Sequence, residues 1–183
     1  MLLFKLEDLV LKDLYNDLIN NVLTIQQLSL FRKGSKNDII SAFDNVKLRS
    51  IINMESRMKY DLWFEEEVLK FHQEIFPLYR DTVTVSKDNP FTYSARLLTS
   101  LIKYLCLYID KDQKKLLFGL SKVHPIITTK FLKGMPEFGF KHIYEIQSID
   151  DYYLLVNRYR ELVRKDLCKE NEWLLDFKIG YDL

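Results

Sequence analysis

Glycine and proline are scarce, with five and four in 183 residues. These residues punctuate backbone structure, so a fold made of many tight turns is excluded. The stretch from Ser35 to Phe76 contains neither, which leaves room for long helices. Cysteine is scarcer still. Cys106 and Cys168 are too few and too far apart for a disulfide framework or a zinc site. There is no excess charge of one sign, since 27 Lys+Arg face 26 Asp+Glu for a net +1. That balance argues against a sequence-blind nucleic-acid coat. No apolar run approaches the roughly 20 residues needed to span a bilayer. The opening Met1 to Lys5 runs straight into Glu7 and Asp8, unlike a signal peptide. Low-complexity tracts and fixed-period repeats are missing too. The expectation is a soluble intracellular protein with reduced thiols, forming one generous domain or one domain plus a small appendage.

Catalytic signatures are also lacking. There is no G-x-S-x-G, no P-loop and no G-x-G-x-x-G, so nucleophile-elbow and phosphate-cradle chemistry lack their geometric basis. His72, His124 and His142 have no partners at metal-ligand spacing, and no H-E-x-x-H is present. Glu65, Glu66 and Glu67 are consecutive and point around a helix rather than converging. Cys106 is centred in an apolar stripe, where a buried thiol is inert. The expectation is a protein with no cofactor and no metal that is not an enzyme. A hydrolase converging from distant residues, with His72 or His142, is the competing class.

What is present is helical periodicity. Leu6, Leu9, Val10, Leu14 and Leu18 predict an amphipathic helix over 6–22. Thr24 caps a second, short helix through Phe31. After a polar loop at 32–37, Asp38 opens the longest predicted helix. Its apolar face is read as Ile39, Phe43, Val46, Ile51, Met54, Met58, Leu62, Leu69 and Ile75, and Pro77 ends it. Asp88-Asn89-Pro90 is a loop. Ala95, Leu98, Leu101, Ile102, Leu105 and Ile109 mark another helix, and a short one covers 113–120. Beyond His124-Pro125 the pattern changes. Ile126 to Leu132 is rich in β-branched residues and reads as a strand, Lys133 to Pro136 as a turn, and Phe140 to Ile146 as a second strand. Residues 150–166 fit either a helix or a buried strand, and Trp173 to Ile179 either one too. The predicted fold is mainly α, with an N-terminal helical bundle over 1–122 and a small C-terminal α+β domain over 126–183.

Tyr152 and Tyr153 with Arg158, Arg160 and Arg164 combine aromatic and basic groups that suit single-stranded nucleic acid. The nearby Asp150, Asp151, Glu161 and Asp166 dilute that charge. A helical adaptor of phage or plasmid type, binding nucleic acid or a partner protein, is therefore one reading.

The stretch Phe131-Leu132-Lys133-Gly134-Met135-Pro136-Glu137-Phe138 resembles the opening of the small β domain of GINS subunits. GINS is the replication factor that joins the MCM helicase to a RecJ-like partner. Pro136 and Phe138 match its Pro-x-Phe element. Tyr144 and Ile146 match the next strand, Asp151 the acidic position, Tyr152 to Leu155 a further strand, and Arg158 to Val163 a short helix. The sequence departs from the pattern at Asp150, Val156, Arg160 and Asp166. The resemblance implies a non-catalytic cytoplasmic, nucleoid-associated replication subunit. It implies assembly with a sister subunit, the MCM helicase and a RecJ-like protein, without a membrane. Trp63, Phe64, Phe71 and Phe76 would then supply the subunit interface. Phe131, Pro136, Phe138 and Tyr144 would form the docking module.

Overall fold

The computed structural model describes residues 20, 22–23, 25–54, 56–105 and 123–164. All but the end of the expected 6–22 helix, the 113–120 helix, both cysteines and the 173–179 tail lie outside these residues. Six α-helices lie among the described residues: α1 (Ile25–Leu28), α2 (Lys36–Asp44), α3 (Arg57–Ile75), α4 (Tyr93–Leu105), α5 (Thr129–Lys133) and α6 (Ile149–Arg164). Short 3-10 turns cover Leu48–Asn53, Phe76–Leu78, Pro136–Phe138 and Ile143–Glu145. The chain is mainly α, as its periodicity predicts.

The longest predicted helix is two helices. α2 stops at Asp44, and Lys47 leaves the helical region with φ −78° and ψ 57°. The break lets α2 fold back onto α3, where Phe43 meets Phe71 with ring centroids 4.5 Å apart. The Lys47 N–H freed by the break donates to the buried carboxylate of Glu67 at 3.0 Å. α3 restarts at Ser56, whose side chain accepts the Lys59 N–H as an N-cap.

The buried side of α3 also differs from the expectation. Tyr60, Trp63, Phe64, Val68, Phe71 and Ile75 face the core, while Met58, Leu62 and Leu69 are 70%, 61% and 44% exposed. Both rows recur at helical spacing, and size decides between them. An aromatic ring buries roughly 150–250 Å², more than Met or Leu, so the aromatic row turns inward. α4 is covered on most sides. Ala95, Leu97, Leu98, Leu101 and Ile102 are buried along with Ser94, Thr99, Ser100 and Lys103. Phe31 and Tyr79 form an isolated antiparallel bridge and stack at 4.5 Å, tying the end of the α1 turn to the chain leaving α3.

No strand occurs among the described residues, so the pleated C-terminal module is not formed by them. Residues 123–127 are buried but irregular chain that pairs into no strand among the described residues, and a strand is stable only with neighbours in a sheet. Thr128 instead caps α5, its hydroxyl accepting the Phe131 N–H at 3.1 Å. The 140–146 segment turns at Ile143–Glu145, where the Glu145 carboxylate collects the N–H groups of Lys141 and His142. Tyr152 to Leu155 lies inside α6. That helix opens on a reciprocal cap: Asp151 N–H donates to Ser148 Oγ at 3.1 Å, and Ser148 N–H donates to the Asp151 carboxylate at 3.0 Å. Side chains from both sides of residues 123–125 enter a single core, which runs from Val22 to Tyr159.

Candidate functional site

A cluster of titratable groups lies where α3, residues 123–127 and α6 meet. Asp61 stands on α3 beside the inward aromatic row. Arg160, one turn from the end of α6, reaches it with both terminal nitrogens, at 2.6 and 3.0 Å. His124 Nε2–H donates to the same carboxylate at 2.8 Å. The opposite ring nitrogen, Nδ1, then accepts from the Tyr152 hydroxyl at 3.1 Å. The imidazole packs edge-on against Phe64 with ring centroids 4.4 Å apart. Beside it, Lys103 Nζ donates to Tyr159 OH at 3.3 Å. Tyr153 OH donates to Glu65 at 2.6 Å.

The electrostatics follow from this geometry. Burial holds His124 down at about 4, opposed by its bond to Asp61 and reinforced by the Arg160 and Lys103 charges. The imidazole is therefore neutral near pH 7. Burial pushes Asp61 up, but its hydrogen bonds to His124 and Arg160 outweigh that, and its pKa is lowered overall. Burial raises Tyr152 well above the ordinary phenol range.

The order Asp61, His124, Tyr152 resembles the carboxylate–imidazole–hydroxyl line of nucleophilic catalysis. Exposure decides against that use. His124 is 0% and Tyr152 1% exposed, so a substrate has no path to the hydroxyl, and a phenol with a raised pKa is a poor nucleophile. The cluster instead fastens α6 and residues 123–127 to α3.

His72 occupies a similar but separate setting. Its Nε2–H points at the carbonyls of Ser86 and Lys87, at 3.0 and 3.1 Å, and Nδ1 accepts from Ser94 Oγ at 2.7 Å. Burial lowers its pKa. It pins the 86–87 loop to α3. His142 stacks on Tyr144 at 5.1 Å. No group of three or more His, Cys, Asp or Glu with metal-site geometry occurs among the described residues.

A groove of about 220 Å³ lies between α2 and α3, lined by Ala42, Asn45, Glu67, Lys70, Phe71 and Glu74 among others. Four of its polar groups are already paired: Asn45 with Glu74 at 2.9 Å, and Lys70 with Glu67 at 3.2 Å as well as with Glu66 beside the groove at 2.8 Å. It is also smaller than the usual ligand pocket of about 300–1,000 Å³.

The residues expected to contact partners divide. Trp63, Phe64 and Phe71 are buried in the chain's own core, at 8%, 0% and 1% exposure, and Phe76 is half-buried. Phe131 is buried as well. Pro136 and Tyr144 are exposed and Phe138 is half-buried. Of the arginines, Arg160 is held by Asp61. Arg158 bridges Glu137 at 3.0 Å and Glu161 at 3.2 Å. The Arg164 side chain lies outside the described residues. Arg158 and Arg160 thus both serve internal pairs. The Asp61–His124–Arg160 grouping was missed in the sequence, where its members are up to 99 positions apart. No protein-family model, curated protein or solved structure matches the chain. No helix among the described residues is long and apolar enough to cross a membrane.

Proposed function

We propose that this chain is a non-catalytic scaffold that acts by holding other proteins. The supporting observation is the sealing of His124 and Tyr152. The side chains best arranged for chemistry are turned to fastening elements together. Outside the sealed core, Met58, Leu62, Leu69 and Leu154 are exposed apolar side chains suited to protein contact.

A narrower proposal is a GINS-like role, in which the chain assembles with a sister subunit and links the MCM helicase to a RecJ-like partner at the nucleoid. Its support is the sequence of residues 131–138 together with the helical architecture before them. Because the described residues form no pleated module, this proposal rests on that local sequence likeness and the helical architecture, without shared C-terminal architecture. Within it, Pro136, Phe138 and Tyr144 are the accessible docking residues, and Phe131 is a core residue.

The test is recovery of the tagged chain from its own cell extract, with native mass and composition measured. A stoichiometric complex with other proteins is expected for a scaffold. A sister subunit of similar size plus the replicative helicase is expected for the narrower role. A chain recovered alone that turns over a substrate contradicts both.

A further inference from the structure

The start of α4 holds a cation and a hydroxyl that the fold leaves unmatched. Arg96 is the fourth residue of that helix, where a positive charge meets the positive end of the helix dipole. The first turn carries no acidic residue to offset either. Among the described residues the Arg96 guanidinium makes no hydrogen bond or ion pair: Nε is enclosed without a partner, while the terminal nitrogens reach solvent from a half-buried side chain. Burial pulls its pKa down, and the Tyr93 phenol opposes that shift. Asp88, the acid nearest in sequence, is exposed and acts on His72 instead. Thr92 lies one turn before Arg96 on the same side of the helix. It is 5% exposed, and its Oγ1 is likewise enclosed without a partner. Thr92 occupies the N-cap position, but the Ala95 N–H that a capping hydroxyl would take donates to the Pro90 carbonyl at 3.0 Å. Buried polar groups are ordinarily satisfied, and an unmatched pair of them marks a place for water or an ion.

We propose that the start of α4 binds a phosphate group, with the Arg96 guanidinium as its cation and the Thr92 hydroxyl as a second donor. Three features favour that ligand. The guanidinium is a fork of N–H donors that matches two phosphate oxygens at once, and here no carboxylate already fills it. The helix dipole adds positive potential at the same end of α4, a helix of 13 residues. Thr92 adds a donor on a separate side chain, and phosphate keeps further oxygens for it where a carboxylate has only two. The phosphate is either free or carried on a larger molecule, and the contact chemistry is the same. The site is independent of the scaffold and replication readings, since it concerns the purified chain and a small anion.

The experiment is calorimetric titration of the full chain with inorganic phosphate at neutral pH, with chloride holding the ionic strength constant. The variants are Arg96→Met, Arg96→Lys and Thr92→Val. The wild type is expected to bind phosphate at a single site. Arg96→Met is expected to weaken binding by about tenfold or more, and Thr92→Val by a smaller factor. Arg96→Lys keeps the charge but loses the fork, and is expected to fall between wild type and Arg96→Met. Without phosphate, Arg96→Met is expected to melt no lower than the wild type, because it removes an unpaired cation. Added phosphate is expected to raise the melting temperature of the wild type and not of Arg96→Met. Methyl phosphate separates the two sources: tighter binding than inorganic phosphate means a phosphate carried on a larger molecule, and weaker binding a free anion, and either supports the site. A wild type that does not bind phosphate, or an Arg96→Met variant that binds it equally well, overturns the proposal. Acetate binding as tight as phosphate binding overturns the choice of ligand. An Arg96→Met variant that melts well below the wild type without phosphate gives the guanidinium an internal role, and that overturns the proposal too.

Discussion

Replacing Asp61 by Asn keeps the shape of the side chain and removes its charge. Arg160, whose side chain is 6% exposed, then loses the carboxylate that accepts from both of its terminal nitrogens. Removing one partner of a buried pair costs about 3–5 kcal/mol, because the other charge stays desolvated. Asp61 is itself 21% exposed, so water offsets part of this and the lower end, about 3 kcal/mol, is expected. That is a large fraction of the roughly 5–15 kcal/mol that holds a domain together. Urea denaturation followed by far-UV circular dichroism reads the loss as a shift in midpoint at constant slope. A second variant separates lost charge pairing from general damage. Asp61→Asn/Arg160→Met removes the buried cation as well and is expected to recover more than half of the loss. A single Asn variant within about 0.5 kcal/mol of wild type, or a double variant no better than the single, refutes the fastening role.

Three further outcomes are expected. His124 and His72 both have folded pKa values below the ordinary histidine value of 6.5. As pH falls, the unfolded chain therefore binds protons first. Stability is full above about pH 6.5 and declines toward pH 4, with His124 alone accounting for about 3 kcal/mol. His124→Gln is expected to flatten that slope in pH-dependent urea titrations, and an unchanged slope contradicts the assignment. On α3, Phe64→Ala is expected to cost about 3–5 kcal/mol, against a change within about 0.5 kcal/mol for Leu62→Ala. Equal losses in thermal melts would mean that the inward face has been misassigned. Gly139 sits at φ 75° with nothing within 4 Å of an added Cβ. Gly139→Ala is therefore expected to cost about 1–2 kcal/mol through left-handed backbone strain alone, and a neutral melt would speak against that conformation.

Much of the fold could be read from periodicity. The α4 stripe of Ala95, Leu98, Leu101 and Ile102 is buried as expected, and Pro77 does follow the end of α3. Two errors share a cause: local pattern does not know what lies opposite. α3 carries apolar residues on two sides, and only the bulk of Tyr60, Trp63, Phe64 and Phe71 shows which side turns inward. The interface expected of Trp63, Phe64 and Phe71 came from taking the other row as core. The β-branched run Ile126-Ile127-Thr128-Thr129 has strand propensity, but a strand needs a neighbour. Thr128 serves better as the cap of α5. The buried network was illegible for another reason. Asp61, His124 and Arg160 come together only through tertiary packing. The faint local signals were a carboxylate beside an aromatic helix face and an arginine next to Tyr159 on the buried side of α6.

The most direct test of the sealed fastening is an NMR titration of the His124 imidazole in the full-length chain. The Nε2–H tautomer is expected at neutral pH, with protonation only near pH 4, close to where the fold is lost. A ring that titrates near 6.5 within an intact fold is open to solvent. It would contradict the sealed core and the non-catalytic reading drawn from it.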